Sequence, residues 1–346
     1  MPGDGIGPEV TAVALRVLSA VAARRGIDCT VGEAVLGGVA IESFGDPLPQ
    51  ATLDQARTAD AVLVGAVGGP QWDGLPFDQN PGGGGLLRLR RELDLYANLR
   101  PVRVARRSDG PVDLLIVREA TGGLYFGTRG SGGSGENRSA YDTMEYSAHQ
   151  IRRVVERACE FARERRGRIT SVDKANVLAS SRLWREVAEE VFSKQTDLEA
   201  DHLHVDNCAA QLMIAPQQFD VIVTENLFGD ILSDQAAALE GSLGFAASAN
   251  LGNGDAALYE PVHGSAPDIA GTGTANPSAA IRSVALMLHY SLGRPDLAHE
   301  VDSALAAVMA RGMTTLDTAQ SAETALSTQQ FGDLVVEELA SRASRE

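Results

Sequence analysis

Apolar positions follow two alternating patterns along the chain. Apolar residues spaced three and four positions apart predict amphipathic helices at residues 10–23 and 151–166. Short runs of β-branched residues predict buried strands at residues 61–65, 112–117, 168–172 and 219–223. Helices and strands that alternate over most of a chain are typical of an α/β layered fold.

Two glycine-rich stretches, residues 80–85 and 128–137, interrupt this alternation. The first contains four consecutive glycines, and the second is rich in Gly, Ser and Arg. We expect each stretch to be either a flexible surface loop or a functional lid or arm.

The length of 346 residues corresponds to about two domains. With 30 Lys and Arg against 46 Asp and Glu, the net charge of −16 disfavours nucleic acid and anionic membrane surfaces as partners. The sequence shows neither a signal peptide nor an apolar stretch of the roughly 18 residues that would span a bilayer. We therefore expect a cytoplasmic protein.

The three cysteines, Cys29, Cys159 and Cys208, are widely spaced and form no CxxC motif or Cys/His cluster. This spacing argues against a disulfide framework and against a zinc site. We expect three buried free thiols.

Residues 3–9 resemble a glycine-rich phosphate-binding loop that leads into a helix. A dinucleotide-binding fingerprint needs a strand directly before the loop and an acidic residue about 20 positions after it. The sequence has no strand before this loop. Either the loop has another purpose or the true start lies upstream.

Acidic residues in the segment 226–234 suggest a metal site. If the segment from Asp230 is helical, Asp230 and Asp234 project from one face and can bind one divalent cation. The alternative is two solvated acids stabilised at a helix start. Asp206, in an apolar setting, offers a third carboxylate, and an all-oxygen set suits Mg²⁺ or Mn²⁺ better than zinc.

Lysine is rare in this chain: only Lys174 and Lys194 are lysines among 30 cationic residues. A lysine near other cations or a metal can lose its proton and act as a base, whereas arginine stays protonated. Lys174 directly follows a predicted strand, where catalytic groups often lie, and is the candidate base. Lys194 lies in a polar stretch and is expected at the surface.

Three arginines and one tyrosine complete the candidate site. Arg90, Arg100 and Arg118 would together bind a substrate with two or more carboxylates, although each alone could equally form a structural salt bridge. Tyr125 is flanked by glycines that would let a ligand approach, or it packs in the core or a lid.

These motifs together resemble the β-decarboxylating dehydrogenases of the isocitrate and isopropylmalate family. The resemblance covers nearly the whole chain and rests on residues 3–9, 67–73, 86–101, 118–127, 172–178, 205–206, 226–234 and 263–271. It implies a two-domain α/β fold with a large mixed sheet that is not a Rossmann fold. Residues 1–95 and 241–346 would form a discontinuous cofactor-binding domain. Residues 96–240 would form a central domain with the dimer interface and an arm at about residues 128–150.

The resemblance also implies roles for the candidate residues. Those matching Arg90, Arg100 and Arg118 hold the substrate carboxylates, and those matching Asp206, Asp230 and Asp234 hold Mg²⁺ or Mn²⁺. Lys174 would take the proton of the 2-hydroxyl group, and Tyr125 would protonate the enol carbon after CO₂ has left. Asp206 is also expected to contact the substrate, together with Leu86, Leu87 and Val177. Lys174, Asn176 and Asp206 would enter the site from the second subunit of a homodimer.

By the same resemblance, the cofactor is NAD. Its binding residues would be Ile6, Asn176, His263, Gly264, Ser265, Ala266, Asp268, Ile269 and Asn276. The pair at Asp268 and Ile269 replaces the basic and aromatic pair of NADP-dependent relatives. An aspartate can accept hydrogen bonds from the ribose 2′-hydroxyl but repels a 2′-phosphate.

The implied reaction is oxidative decarboxylation of a 2-hydroxy dicarboxylic acid. The apolar Leu86 and Leu87 suit an isopropyl group and favour (2R,3S)-3-isopropylmalate, the substrate in leucine biosynthesis. Two departures keep alternatives open. Gly83 stands where the family carries an acid, which raises the prospects of D-malate, tartrate, homoisocitrate or another alkylmalate. The family's first strand is missing, so the chain as given is expected to have low solubility. A catalytically silent, metal-binding paralogue is the alternative from another class.

Overall fold

A computed structural model describes residues 1–105, 107, 110–254, 256–319 and 325–343. The chain forms two compact units. Met1–Leu95 and Gly241–Glu346 make up one, called here the terminal unit, and Tyr96–Glu240 make up the other, the central unit.

The described residues form an α/β fold with a large mixed sheet of eight strands, as the resemblance implies, and a separate two-stranded hairpin. The helices are α1 (Gly7–Arg25), α2 (Gly38–Phe44), α3 (Gln50–Thr58), α4 (Arg88–Glu92), α5 (Ala148–Arg163), α6 (Ala179–Phe192), α7 (Val205–Ile214), α8 (Asn226–Ala237), α9 (Ser278–Tyr290), α10 (Pro295–Ala310) and α11 (Thr328–Ala343). The strands are β1 (Val62–Leu63), β2 (Ala97–Val104), β3 (Val112–Glu119), β4 (Arg129–Gly132), β5 (Ser139–Asp142), β6 (Arg168–Asp173), β7 (Glu199–His204), β8 (Val221–Thr224), β9 (Ala247–Leu251) and β10 (Ala257–Pro261).

In the terminal unit, β10 pairs in parallel with β1 and antiparallel with β9. The chain start lies beside β1: the Met1 amino group donates to the Leu63 carbonyl at 2.9 Å, and Gly3 forms a parallel bridge with Ala66. The buried Asp4 carboxylate then accepts backbone N–H groups of Gly38, Val39 and Gly68 at 2.7–2.8 Å, so the first loop is anchored at three points.

In the central unit, the strand order is β2, β3, β8, β6, β7. β2 runs antiparallel to β3, and the other neighbours are parallel. Alternate apolar side chains of these strands pack with α7 and α8 in one core that includes Ile116, Val172, Leu212, Ile222 and Leu232. The carboxyl ends of β3, β8, β6 and β7 therefore lie along one edge of the sheet, where ligands of α/β proteins usually bind.

The structure confirms both predicted helices, within α1 and α5, and the strands at β3, β6 and β8, with ends that differ by a few residues. The predicted strand at 61–65 shortens to β1. Lys194 is exposed, as expected. The second glycine-rich stretch includes β4 and the start of the hairpin to β5. None of the described helices combines the length and apolar character that crossing a membrane requires.

The structure contradicts one expectation and one of the two alternatives given for another. Cys159 and Cys208 are buried, but Cys29 is exposed, since it lies in a segment outside the described helices and strands. The first glycine-rich stretch is not a flexible surface loop: Pro81–Leu87 form a π-helical turn in which Gly83, Gly84 and Gly85 are buried.

Candidate active site

The carboxyl edge of the central sheet brings several predicted site residues into the same region. Arg118 is the penultimate residue of β3, and Lys174 follows directly after β6. Asp206 lies in the first turn of α7, directly after β7. The chain after β8 passes through Glu225 into α8, which carries Asp230 and Asp234.

α8 begins at a carboxylate cap. The Glu225 side chain accepts the N–H groups of Phe228 at 2.7 Å and Leu227 at 3.0 Å, which satisfies donors that a helix start leaves unpaired. Further along α8, Gly229 packs directly on β3: a Cβ at this position would lie 2.6 Å from Cγ of Arg118. The glycine therefore permits close approach of α8 to the arginine.

Asp230 is the centre of a hydrogen-bonded cluster. The Tyr125 hydroxyl donates to its Oδ2 at 2.5 Å, and Arg118 forms an ion pair with its Oδ1. The Arg118 guanidinium carbon lies 5.3 Å from the centre of the Tyr125 ring. Asn226 Oδ1 accepts from both Nε (3.0 Å) and Nη2 (2.7 Å) of Arg118 and so fixes the orientation of the guanidinium. Burial, followed by the hydrogen bond to Asp230, raises the pKa of Tyr125 to about 12. Tyr125 is therefore a protonated, oriented donor at neutral pH.

The predicted acidic pair of α8 suits a divalent cation. Asp230 and Asp234 are one turn apart, and both face Arg100, with nitrogen–oxygen distances of 3.8 and 3.4 Å. Burial raises the pKa of Asp234; Arg100 opposes this rise, and the charge of Asp230 adds to it. Hard carboxylate oxygens are the ligands that Mg²⁺ and Mn²⁺ prefer, and a cation would relieve the repulsion within the pair.

The third predicted metal ligand, Asp206, is bonded to Lys174 and lies apart from Asp230 and Asp234. Lys174 Nζ donates to Asp206 Oδ1 at 2.5 Å, and this bond lowers the pKa of Asp206. Asn176 and Val177, which follow Lys174, are exposed. Over the described ranges, no three His, Cys, Asp or Glu side chains of this chain are close enough to hold a metal ion. Asp206 therefore does not join Asp230 and Asp234 within one chain.

In the terminal unit, Arg90 is buried against an acid. Its Nη2 lies 2.5 Å from Oε1 of Glu260, which also accepts Nδ2 of Asn250 at 2.8 Å. The buried charge is thus neutralised, and a buried guanidinium needs such a partner. Arg90 Nε has no hydrogen-bond partner among the described residues, so the group retains a donor for a ligand.

The half-buried Leu86 and Leu87 end the π-helical turn that begins at Pro81. Such turns are rare and often lie at functional sites. The turn is tightly packed, because a Cβ on Gly83 would lie 2.2 Å from the Phe77 carbonyl oxygen and one on Gly84 would lie 2.1 Å from that of Asp78. An acidic side chain at position 83 does not fit this backbone.

The segment from His263 to Ile269 shows features of a ligand-binding loop. The Ile6 N–H donates to the Ser265 carbonyl at 2.8 Å, which joins the loop to the start of α1. Ala266 has a φ of 37°, in the left-handed region that residues other than glycine seldom adopt. A cavity of about 330 Å³ adjoins the segment, lined among others by Gly3, Gly5, Gly68, Trp72 and Pro267. Gly264 and Asp268 are exposed, and Ile269 is half-buried.

His263 supplies a free acceptor that fits a nucleotide. Its Nδ1 contacts the Gly264 carbonyl at 2.9 Å, so Nδ1 carries the hydrogen and Nε2 is left as an acceptor. Nε2 is buried and has no partner among the described residues. Burial lowers the pKa of His263, so the ring is neutral. A ribose hydroxyl or an adenine amino group could donate to Nε2, so the residues present fit a nucleotide cofactor.

Asn276 is held in place by hydrogen bonds to other residues of the terminal unit. Its backbone N–H donates to Asp317 at 2.9 Å, its Nδ2 donates to Thr318 at 3.0 Å, and its Oδ1 accepts the N–H of Ser278 at 2.9 Å. Its position is thus fixed before any ligand binds.

Asn226, Glu225 and Glu260 belong to these clusters but were not among the predicted site residues, and neither was Tyr146, whose hydroxyl accepts the N–H of Asn226 at 3.0 Å. Asn226 and Glu225 lie in or beside a motif already singled out, and their sequence signal is a polar residue next to an apolar strand. Tyr146 and Glu260 stand in no recognised motif, and Glu260 is 170 positions from Arg90.

Comparison with known proteins shows the family of this chain. Residues 1–335 match the family model of isocitrate/isopropylmalate dehydrogenase. The chain is 53% identical over 349 residues to the 3-isopropylmalate dehydrogenase of Halalkalibacterium halodurans, covering 97% of this chain and 96% of the relative. It is 51% identical over 356 residues to that of Shouchella clausii, covering 99% and 97%. The crystal structure of isocitrate dehydrogenase from Methylococcus capsulatus has a TM-score of 0.88 at 39% identity, covering 98% of this chain and 97% of that one. This chain therefore belongs to the isocitrate/isopropylmalate dehydrogenase family of oxidoreductases.

Proposed function

We propose that this enzyme catalyses the NAD-dependent, divalent-metal-dependent oxidative decarboxylation of (2R,3S)-3-isopropylmalate to 4-methyl-2-oxopentanoate and CO₂ in leucine biosynthesis. The observation that carries the proposal is the cluster in which Asp230 is bonded to Tyr125 and Arg118, with Asp234 one turn away. Two relatives that are 53% and 51% identical to this chain are named 3-isopropylmalate dehydrogenase, and these names support the choice of substrate.

The arginines bind and orient the acid. Arg90, Arg100 and Arg118 are nearly buried, so their charges are little screened by water and would bind carboxylates strongly. Leu86 and Leu87 would contact the apolar arm of the substrate. Asn226 holds the Arg118 guanidinium in place before the substrate arrives, which lowers the entropic cost of binding.

Asp230 and Asp234, with Asp206 of a second subunit, would hold Mg²⁺ or Mn²⁺. When bound, the cation supplies charge stabilisation for the oxygen atoms that become negative during the reaction. Lys174 accepts the proton of the 2-hydroxyl group as C2 is oxidised. Tyr125 donates its proton to the enol carbon that remains after CO₂ has left, because its hydroxyl is protonated at neutral pH.

NAD⁺ is the proposed hydride acceptor. The free Nε2 of His263 and the carboxylate of Asp268 would accept hydrogen bonds from its hydroxyl or amino groups. Ile6, Gly264, Ser265, Ala266, Ile269 and Asn276 would line the cofactor, with Asn176 from the second subunit. The negative charge of Asp268 would disfavour the 2′-phosphate of NADP.

The test is NADH formation with 3-isopropylmalate, D-malate, tartrate, isocitrate and homoisocitrate, each with Mg²⁺ or Mn²⁺ and again after EDTA. We expect the highest kcat/KM with 3-isopropylmalate and loss of turnover in EDTA. A preference for another acid would keep the mechanism and change the substrate, for which the missing acid at Gly83 gives a structural reason. Absence of turnover with every acid in a folded dimer would favour the catalytically silent paralogue.

A further inference from the structure

Two buried carboxylates of the central unit lie close to the hydroxyl of one buried tyrosine, Tyr146. Glu119 is 0% exposed and Glu225 is 3% exposed, and between them lies the hydroxyl of Tyr146, a residue that is 7% exposed. The hydroxyl donates to Oε2 of Glu225 at 3.4 Å, and burial followed by the nearby charges of Glu119 and Glu225 raises the pKa of Tyr146. The proposed mechanism uses none of these three residues.

The Tyr146 hydroxyl is also bonded to the start of α8. The N–H of Asn226, the first residue of the helix, donates to the Tyr146 oxygen at 3.0 Å. The Asn226 side chain holds Arg118 through Oδ1 and donates from Nδ2 to the Gly122 carbonyl at 2.9 Å. One oxygen atom is thus linked to the helix that carries Asp230 and Asp234.

The Tyr146 ring also packs on the segment that leads to Tyr125. A Cβ on Gly122 would lie 2.7 Å from Cε1 of Tyr146, and one on Gly123 would lie 2.5 Å from its hydroxyl. The Gly123 N–H donates to the Glu145 carbonyl at 3.2 Å. Glycines at 122 and 123 therefore let this segment lie directly on the ring.

The position of the ring is fixed from a third direction. Tyr146 and Trp184 of α6 pack edge to face, with ring centres 5.7 Å apart at 79°. Trp184 Nε1 donates to Ser171 Oγ in β6 at 3.1 Å. The Tyr146 ring therefore has little freedom to move, and its hydroxyl is held in one position.

We propose that Tyr146 is a positioning residue, whose hydroxyl holds the 121–126 segment with Tyr125 at a fixed distance from Asp230 on α8. This inference rests on the proposed function, because it assigns Tyr125 and Asp230 to the reaction. Glu225 orients the phenol from the helix side, and Glu119 accepts the N–H groups of Thr121 (2.9 Å) and Gly122 (2.8 Å), which fixes the start of the segment. A displacement of about 1 Å between reacting groups can lower a rate by roughly a hundredfold, so a group of this kind would act on kcat.

The test is Tyr146→Phe, which removes the hydroxyl and keeps the ring contact with Trp184. We expect kcat with the preferred acid to fall about 10- to 100-fold while its KM changes less than about threefold. We also expect faster amide hydrogen exchange at residues 226–228. Tyr259→Phe is the matched control, because Tyr259 is also buried and its hydroxyl is bonded to Ser291 in the terminal unit. That variant should lose comparable stability without the loss in kcat.

A Tyr146→Phe enzyme with kcat within about twofold of the wild type, or with unchanged exchange at residues 226–228, would overturn the proposal. If Tyr146→Phe does not fold, Trp184→Phe loosens the ring and leaves its hydroxyl; an unchanged kcat in that variant would also overturn it. If wild-type enzyme turns over none of the acids, the proposed function has failed, and the exchange measurement still decides whether Tyr146 holds the start of α8.

Discussion

Burial and hydrogen bonding set the protonation state of Tyr125. Burial is the larger cause of its raised pKa, the bond to Asp230 is the next, and the nearby Arg118 guanidinium opposes both. With a pKa of about 12, the phenol keeps its proton across the range in which enzymes are usually assayed. Its hydrogen is directed to Asp230 at 2.5 Å. Tyr125, which must donate a proton in the proposed reaction, is thereby kept protonated.

Tyr125→Phe tests this role. We expect kcat to fall about 100-fold or more, since general acid catalysis contributes roughly 10²- to 10⁴-fold. Stability should change little, because Arg118 still neutralises Asp230. The measurement is steady-state kinetics together with urea unfolding. Tyr141→Phe, an exposed tyrosine of β5, serves as the control. A kcat within about threefold of the wild type would contradict the assignment of Tyr125 as the proton donor.

The charged residues of the site could be predicted from the sequence better than the uncharged residues that hydrogen-bond to them. Arg118, Asp230 and Lys174 carry charge in a motif, and the structure places each at the edge of the central sheet. Asn226 lies in the same motif, but an uncharged amide gives no comparable signal, and its partner Arg118 is 108 positions away. Partnerships of this kind are created by packing between distant segments, which one sequence does not display.

At the scale of elements, periodicity predicted α1 and α5, which each bury one face, and short β-branched runs predicted β3 and β6, which are buried over nearly their whole length. Neither signal predicted the helical turn at the first glycine-rich stretch, since glycine has no side chain to give a helical pattern. The reason for those glycines is steric: at Gly83 and Gly84 the turn packs against the carbonyls of Phe77 and Asp78, where no side chain fits. Packing therefore makes this turn helical against the low helix propensity of glycine.

The cap of α8 gives a pH dependence to stability. Burial raises the pKa of Glu225 to about 7, against an ordinary value of 4.5, although two backbone N–H groups lower it. Below pH 4.5 the folded and unfolded chains are both protonated at this group. Between pH 4.5 and 7 only the folded chain holds the proton, so stability falls as pH rises, and above pH 7 the loss is complete.

Glu225→Gln should remove this contribution. We expect the free energy of unfolding of the wild type to fall between pH 5 and 8 by about 2.5 kcal/mol more than that of the variant. The measurement is urea unfolding at pH 5, 6, 7 and 8. The difference in slope is the readout, because glutamine does not titrate and therefore changes stability by the same amount at every pH. Parallel pH profiles would show that Glu225 titrates normally in the folded protein.

At the scale of the whole molecule, one chain does not hold all the proposed catalytic groups in one place. Asp206 is bonded to Lys174 and does not join Asp230 and Asp234. Val177, which lies close to Lys174, is 62% exposed in the single chain. Met213 and Ile214, at the end of α7, are 54% and 68% exposed. Met213 and Ile214 are consecutive, and contiguous exposed apolar side chains are typical of surfaces that another protein covers. These observations support the proposal of a homodimer whose subunits exchange Lys174 and Asp206.

A mixture of two inactive variants tests that exchange. In a heterodimer of Lys174→Ala and Tyr125→Phe subunits, a shared arrangement gives one site with both native residues and one site with neither. Co-expression in equal amounts should then restore about a quarter of wild-type activity, because half of the dimers are mixed and each has one complete site. If Lys174 instead serves its own chain, every site contains one substitution and the mixture stays inactive. Lys194→Ala combined with Tyr125→Phe controls for simple dilution, since Lys194 is exposed and outside the site. In that mixture the Lys194→Ala subunits supply native Tyr125 and Lys174 themselves, and about half of wild-type activity is expected under either arrangement.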